Sequence, residues 1–435
     1  MINKPISELI VTVVDQGIFS AVAAKIAESV KQVYYCRPGA VYDSFPLPAK
    51  QAVGEGFPNV KVIRSVYDED VYKKTDLWWF PDVYMGEWQT QLEADGKIVW
   101  GSRNAERLEI DRPFLKRTME HLGLKVNKWE IVKGITALRK YLQSHPEQVV
   151  KISGWIRGLT ETFKAASYPL VKDKLDELQS LLGPKAETEE FLVEEVIDSI
   201  AEVGFDGYDV DGKYPSPVLC GIEEKGCRYV GVVQAYSKQP EAVTEFTDAI
   251  APELRRYGMR GELHTETRMT SAKRGVMIDP AFRCGCPSSN IGMELYTNFV
   301  EIAWLGAQGQ LVQPVIAGAE NVPEDKIKVY GVEQLMFSTY ADKNWMAMEI
   351  PKDVRQYVKL RHGCMFDGLF YNAPQNSGAS NAGSIVGWGK SLAIAEKMVE
   401  EVADEVTAFS LDIDVNFDKL HRDIDALAQA GVEMF

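Results

Sequence analysis

Residues 261–287 read GELHTETRMTSAKRGVMIDPAFRCGCP. Residues 261–270 and 275–279 have the apolar, β-branched pattern of two neighbouring strands. Each predicted strand carries a carboxylate, Glu266 on the first and Asp279 on the second. Magnesium is a hard cation that takes one or two protein carboxylates and completes its shell with phosphate and water oxygens. The stretch is therefore a candidate magnesium site, with two solvated strand carboxylates as the alternative.

More predicted strands precede this stretch. They cover residues 191–197, 201–209, 217–222 and 229–235, and a helix is predicted over residues 241–257. This order of elements indicates an antiparallel sheet with a covering helix.

The first 103 residues have a different pattern, in which strands and helices alternate. Strands are predicted at residues 9–14, 32–36, 76–80 and 97–100, with a helix over residues 21–30. Such alternation is typical of a parallel α/β sheet. The segment has no G-x-G-x-x-G motif, which weakens the alternative of a nicotinamide-dependent oxidoreductase.

Between these two regions lies a loop that contains glycines and follows a predicted strand. Helices are predicted over residues 112–122 and 134–143, and a strand over residues 148–152 leads into SGWIRGLTET at 153–162. A glycine-bearing loop after a strand can hold phosphate through its backbone N–H groups, and an ordinary hairpin is the equal alternative. Residues 387–391, GWGKS, lack the earlier glycine of a P-loop.

Composition limits the classes of function. The 435 residues are 46% apolar and carry 48 Lys and Arg against 63 Asp and Glu, a formal charge of −15. Such a length predicts two to four packed units, and such a charge disfavours direct nucleic-acid binding. Neither a signal peptide nor a membrane span is predicted. The cysteines are scattered along the chain, which fits a reducing cytoplasm. Cys284 and Cys286 are expected to be small residues in a tight turn.

The order of the charged residues along the chain resembles that of the ATP-grasp superfamily, and within it the glycinamide ribonucleotide synthetases. The residues in question are Asp111, Arg112, Lys151, Glu194, Glu195, Glu202, Glu266, Asp279 and Arg283. The resemblance implies an ATP-grasp fold of mixed α/β and α+β class. It implies an open α/β domain at 1–103, a small subdomain with a glycine-rich lid at 104–188, a large subdomain at 189–339 and a mixed carboxy-terminal domain at 340–435.

The same resemblance assigns roles to individual residues. Arg112 and Lys151 would bind the ATP phosphates, and Gly154, Gly158 and Thr160 would belong to the lid. The segment Glu194, Glu195 and Val196 would read adenine, Glu202 would bind the ribose, and Glu266 and Asp279 would bind magnesium. Lys151 and Arg283 would be catalytic, with Arg283 at the transferring phosphoryl group. Arg268, Ser288, Ser289 and Asn290 are candidates for the acid and amine pockets.

The implied function is an ATP-dependent ligase that joins a small carboxylic acid to an amine through an acyl phosphate and releases ADP and phosphate. Three positions depart from the family pattern. Asp279 stands for the usual glutamate, Ala281 stands where asparagine is common, and Asp15-Gln16-Gly17 replaces a glycine-rich turn. The alternative function is a non-catalytic nucleotide-binding scaffold, and a homo-oligomer is left open.

Overall fold

The computed structural model describes residues 2–38, 51–152, 162–271, 273–374 and 380–435. Its first sheet contains β1 (Ile10–Val14), β2 (Gln32–Cys36), β3 (Val60–Ile63), β4 (Leu77–Trp79) and β5 (Ile98–Trp100). These strands are all parallel, in the order β3-β2-β1-β4-β5. Helices α1 (Ser20–Ala27), α2 (Glu69–Lys74) and α3 (Gly86–Ala94) connect the strands. The parallel α/β domain predicted from the alternating pattern is confirmed.

Two short helices lead out of this domain, α4 (Arg107–Ile110) and α5 (Arg112–His121). The side chain of Asp111 caps α5 by accepting a hydrogen bond from the backbone N–H of Phe114, and Pro113 stands in the first turn. A carboxylate cap and an early proline are both favourable at a helix start. Arg112 is thereby held at the first position of the helix.

The second unit is a small antiparallel sheet with the order β6-β9-β7-β8. It contains β6 (Trp129–Lys133), α6 (Ile135–Ser144), β7 (Gln148–Ile152), β8 (Thr162–Ala165), α7 (Tyr168–Leu182) and β9 (Glu190–Glu195). The two helices have their own core with the sheet, in which Leu138, Leu175 and Phe191 are fully buried. Of these elements, the sequence patterns had predicted α6, β7 and β9.

The third unit is built on an eight-stranded sheet with the order β14-β13-β10-β11-β12-β15-β20-β17. Its strands are β10 (Ala201–Val210), β11 (Val218–Glu224), β12 (Arg228–Gln234), β13 (Arg260–Ser271), β14 (Arg274–Ala281), β15 (Val329–Phe337), β17 (Val358–Leu360) and β20 (Asn381–Gly389). All pairs are antiparallel. Helix α8 (Glu241–Tyr257) buries Val243, Phe246 and Ile250 against the sheet. The predicted antiparallel sheet with a covering helix is confirmed.

The remaining elements are α9 (Ser289–Leu295), α10 (Phe299–Gly306), α11 (Thr339–Lys343), β16 (Met346–Glu349), β18 (Gly363–Phe366), β19 (Leu369–Asn372), α12 (Leu392–Glu405), β21 (Thr407–Ala408) and α13 (Asp418–Gln429). A second four-stranded sheet has the order β18-β19-β16-β21. The four-domain division at 103, 188 and 339 remains a prediction. Strand pairing joins β9 to the small sheet, and it joins β17 and β20 to the large one.

Among the described residues, no helix combines the length and the apolar character that a membrane crossing requires.

Candidate active site

Lys151 connects the small sheet to the large sheet. Its ammonium lies 3.3 Å from Oε2 of Glu194 on β9 and 3.3 Å from Oδ2 of Asp279 on β14. Burial on its own would lower the pKa of Lys151, but Asp279 and Glu194 outweigh that effect and raise it. The lysine therefore keeps its charge in a place where only 5% of the residue is exposed.

A second lysine, which the sequence patterns did not single out, holds the other oxygen of Glu194. Lys116 on α5 lies 2.5 Å from Oε1 of Glu194 and donates a hydrogen bond to Oδ1 of Asn127 at 2.8 Å. Burial lowers the pKa of Lys116. For Glu194, burial opposes ionisation, but Lys151 and Lys116 overcome it and lower the pKa. Lys116 follows Arg112 by four residues on one helix, so the two side chains lie on the same face. This i, i+4 spacing is the sequence pattern from which Lys116 could have been predicted.

Arg112 points from the start of α5 to the end of the strand that carries Lys151. Its Nη1 donates a hydrogen bond to the carbonyl of Ile152 at 2.6 Å, and the residue is buried. The loop that follows Ile152 contains Gly154, Gly158 and Thr160, which lie outside the described residues. The structure thus brings Arg112 and Lys151 to the base of that loop.

The predicted adenine-reading segment lies at the end of β9. Glu194 is buried between the two lysines, whereas Glu195 is exposed and pairs with Lys128 at 3.3 Å. Val196 is 36% exposed and follows β9 directly. Of the three residues, Glu194 alone joins the buried ionic cluster.

A second ionic cluster lies on the large sheet. Ligand oxygens of Glu202, Glu223 and Glu266 come within 4.8 Å of one another. The ammonium of Lys225 is 2.8 Å from Glu202 and 2.9 Å from each of the other two carboxylates. Burial on its own would lower the pKa of Lys225, and the three carboxylates instead raise it. Glu223 and Lys225 were not predicted from the sequence, because they lie on β11 and in the turn after it, far from Glu266 along the chain.

The two predicted metal ligands face each other. Glu266 and Asp279 are register partners on β13 and β14. Burial raises the pKa of Glu266 to about 7, helped by Glu202 and Asp279 and opposed by Lys225. Burial works against ionisation of Asp279 as well, but Lys151, Arg112 and Lys225 together lower its pKa to about 2. Carboxylate oxygens are the donors that a hard cation such as magnesium takes, and in this structure Lys225 supplies the positive charge beside Glu266. The side chain of Ala281 adds no ligand.

Arg283 lines the same cleft as Glu202, Glu266 and Asp279. Its Nε donates to Oε1 of Glu109 at 2.7 Å, and its Nη1 donates to the carbonyl of Cys284 at 3.0 Å. Burial of Arg283 would lower its pKa, but Glu109 and Asp82 reverse the direction and raise it. The guanidinium is therefore a fixed positive charge in the wall of that cleft.

His264 lies in the wall of the same cleft and was not predicted from the sequence. Its Nδ1 is 2.8 Å from Oδ1 of Asp206 and 3.0 Å from Oγ of Ser288, and its Nε2 is 3.0 Å from Oγ of Ser289. Tyr229 donates a hydrogen bond to the other oxygen of Asp206. The candidate pocket residues Ser288 and Ser289 therefore meet in one buried network.

The other two candidate pocket residues have different partners. Arg268 pairs with Glu202 at 2.8 Å, and Asn290 donates to Oε1 of Glu333 at 2.6 Å. Arg268 therefore belongs to the edge of the carboxylate cluster, whereas Asn290 lies on the side of α9 that contacts β15 and β20.

No protein-family model and no curated protein matches the sequence. Solved structures do match over nearly the full chain. Phosphoribosylamine–glycine ligase from Thermotoga maritima has a TM-score of 0.65 at 15% identity and covers 93% of this chain and 99% of its own. The biotin carboxylase domain of Hydrogenobacter thermophilus 2-oxoglutarate carboxylase, in complex with MgADP, ADP and bicarbonate, has a TM-score of 0.63 at 12% identity, with 95% of each chain covered.

L-amino acid ligase from Bacillus licheniformis has a TM-score of 0.59 at 13% identity and covers 94% of this chain and 99% of its own. At these identities the similarity shows the fold alone. The chain has the ATP-grasp fold, as the order of its charged residues predicted.

Proposed function

We propose that the protein is an ATP-dependent ligase that joins a carboxylic acid to an amine through an acyl phosphate and releases ADP and phosphate. The observation that carries this proposal is the position of Lys151, whose ammonium lies between Glu194 of the small sheet and Asp279 of the large sheet. A charged cluster between two sheets can bind a polyanion from both sides. The fold similarity to structures that contain ADP or MgADP supports the choice of nucleotide.

In this proposal Arg112 and Lys151 bind the phosphates, together with Gly154, Gly158 and Thr160 of the loop. Glu194, Glu195 and Val196 contact the adenine, and Glu202 accepts hydrogen bonds from the ribose hydroxyls. Glu266 and Asp279 hold magnesium, which neutralises charge on the phosphate oxygens when bound. Lys225 pairs with both Glu202 and Glu266 in this structure, so magnesium at Glu266 and ribose at Glu202 would each compete with one of these pairs.

The chemistry begins with a carboxylate, which resists attack because an oxide is a poor leaving group. Transfer of the γ-phosphoryl group from ATP to a carboxylate oxygen gives an acyl phosphate and ADP. The amine then attacks the acyl carbon, phosphate leaves, and the nitrogen loses a proton to complete the amide. Arg283 and Lys151 stabilise the charge on the phosphoryl oxygens during the first step.

The first βα turn argues against a phosphoribosyl amine. Asp15 accepts hydrogen bonds from the backbone N–H of Phe19 at 2.8 Å and of Ile18 at 3.3 Å, and from the hydroxyl of Tyr35 at 2.5 Å. Free N–H groups at a helix start are what would attract a phosphate. Here an internal carboxylate already occupies that position at the start of α1, so we propose a different, small-molecule amine.

The test is release of ADP in the presence of magnesium, ATP, a panel of carboxylic acids and hydroxylamine. Hydroxylamine attacks acyl phosphates to give hydroxamates, so no knowledge of the natural amine is required. We expect at least one acid to give hydroxamate and ADP in equal amounts. A protein that binds MgADP but gives neither product with any acid would contradict the proposal.

That negative outcome would favour the second candidate, a nucleotide-binding scaffold without turnover. Two observations support this candidate. Lys225 already pairs with Glu266 of the proposed metal site and with Glu202 beside it, and Ala281 supplies no third ligand.

A further inference from the structure

One ammonium group, that of Lys225, is shared by three carboxylates of the charged cleft. Its Nζ lies 2.8 Å from Oε1 of Glu202, 2.9 Å from Oε2 of Glu223 and 2.9 Å from Oε1 of Glu266. All three glutamates line the cleft that also contains Asp279. A single tethered cation thus compensates oxygens that the proposed function gives to two different ligands.

Lys225 reaches these carboxylates from the protein surface. It lies in the turn that joins β11 to β12, and its side chain is 48% exposed, whereas that of Glu202 is 5% exposed. Lysine carries a compact, strongly hydrated charge on a flexible four-carbon stem. The ammonium of Lys225 can therefore leave the carboxylates for solvent by rotation of its own side chain, without a change in the large sheet.

The carboxylates differ in the charge that remains beside them when Lys225 leaves. Glu202 keeps a second cation, because Nη2 of Arg268 lies 2.8 Å from its Oε2. Within the part of the chain that the structure describes, Lys225 is the one cation at salt-bridge distance from Glu266. Glu266 also faces Asp279, its register partner. Leaving a buried carboxylate without its cation is costly, so release of Lys225 is favoured when another cation replaces it at Glu266.

Two ligands compete with the same lysine. In the proposed function magnesium takes Glu266 and ribose takes Glu202, and Lys225 pairs with both. A ligand that displaces Lys225 removes a cost that the other ligand would otherwise meet. Such coupling between two binding events is reciprocal, so each ligand raises the affinity for the other by the same factor.

We propose that Lys225 is an autoinhibitory side chain, which competes with magnesium at Glu266 and with ribose at Glu202 and is displaced by the magnesium–nucleotide complex more effectively than by either ligand alone. The positions of metal and ribose in this inference rest on the proposed function. A Lys225 that instead served as a phosphate ligand would be covered by the nucleotide and would strengthen its binding.

The first experiment measures how readily Lys225 of the wild type is acetylated by N-hydroxysuccinimide acetate, with peptide mass spectrometry as the readout. Lys273, in the turn between β13 and β14 with a side chain that is 81% exposed, is the internal control. We expect acetylation of Lys225 relative to Lys273 to rise severalfold with MgADP, and less with magnesium or ADP alone. Unchanged acetylation would overturn the inference, and slower acetylation would make Lys225 a phosphate ligand.

The second experiment uses Lys225→Met, which keeps an unbranched side chain and removes the charge. Manganese is the metal probe, and electron paramagnetic resonance measures the free ion. We expect the variant to bind Mn²⁺ without nucleotide about tenfold more tightly than the wild type does. Lys273→Met is the matched control and should bind Mn²⁺ as the wild type does. An equal or weaker Mn²⁺ affinity in Lys225→Met would contradict the inference.

Adenosine tests the coupling itself, because it has the ribose but no phosphate that could bind the metal directly. In the wild type, adenosine should raise the affinity for Mn²⁺ about fivefold, and in Lys225→Met it should have no effect. An equal effect of adenosine in both proteins would show that the coupling does not pass through Lys225. Loss of the shared cation lowers stability, so circular dichroism checks the fold of the variant. The acetylation experiment needs only the wild type and decides the inference if the variant does not fold.

Failure of the inference can be separated from failure of the proposed function by the thermal shift with MgADP. If MgADP stabilises the wild type but leaves acetylation of Lys225 unchanged, the nucleotide site stands and the inference is wrong. If MgADP stabilises neither the wild type nor Lys225→Met, the nucleotide site is wrong and the inference falls with it. Stabilisation of Lys225→Met alone would support the inference, because the lysine would then block the site in the wild type.

Discussion

The two ends of one sheet face differ in almost every physical property. At one end, Glu202, Glu266 and Asp279 form a carboxylate cluster compensated by lysines. About 13 Å from Glu266 along β13, Glu262 is buried among aromatic and aliphatic side chains. The charged end suits a phosphate and metal chemistry that many substrates could share. The apolar end offers almost no polar surface to a ligand.

The largest effect is expected at the charged end, from Asp279→Asn. The change removes a negative charge beside Lys151 and one of two proposed magnesium ligands. Hydroxamate formation should fall by at least about 100-fold, a loss typical of removing one electrostatic contact at a reacting centre. Far-ultraviolet circular dichroism should be unchanged. Asp325→Asn, at an exposed position, is the control, and near-normal turnover of Asp279→Asn would remove this residue from the metal site.

Lys151→Ala should abolish nucleotide binding. The wild type at MgADP concentrations 100 times the dissociation constant should gain about 2.7 kcal/mol of stability in the unit that binds. The variant should show no such thermal shift, because two carboxylates would then face the phosphates without their cation. Lys164→Ala changes an exposed lysine on the neighbouring strand β8 and should keep the full shift. An unchanged shift in Lys151→Ala would contradict its assignment as a phosphate ligand.

Arg283→Ala tests the junction between the two ends. We expect hydroxamate formation to fall by about 10- to 100-fold while the MgADP thermal shift is preserved, since the proposal assigns Arg283 to the transferring phosphoryl group and not to ADP. Loss of the Glu109 partner will lower stability too, so Arg283→Lys, which keeps the charge, serves as the second variant. Arg274→Ala at an exposed site is the control. A loss confined to stability, with turnover of the folded fraction intact, would make Arg283 a structural residue.

The sequence allowed more to be predicted at the charged end than at the apolar end. Lys151, Glu194 and Asp279 were singled out by their order along the chain, and the structure places the ammonium of Lys151 3.3 Å from a carboxylate oxygen of each of the other two. The parallel first sheet and α8 were predicted from local periodicity. Hydrophobic periodicity is visible within a single segment of sequence, and each of these elements shows it without its partners in the fold.

Other parts could not be predicted because they depend on pairing between distant strands. Glu223 and Lys225 join Glu202 and Glu266 only when β10 pairs with both β11 and β13. The apolar end combines Trp79, Trp100 and Phe299 from three separate elements, none of which carries a motif. Strands β17 and β20 likewise extend the large sheet from far along the chain.

The smallest expected effect is at Glu262, where the stability of the folded protein should depend on pH. Burial raises the pKa of Glu262, with Trp100 and Cys284 opposing only in part. As pH rises past the ordinary value of a glutamate, the unfolded chain loses its proton first, so the stability of the folded protein falls until pH reaches the raised pKa. Glu262→Gln has no such titration. The variant should therefore gain stability relative to the wild type as pH rises through that window. Urea unfolding at several pH values measures this difference, with Glu301→Gln as an exposed control on α10. A difference that stays constant with pH would mean that the pKa of Glu262 is the same in the folded and the unfolded protein, and burial would then not set the apolar end apart from the charged end.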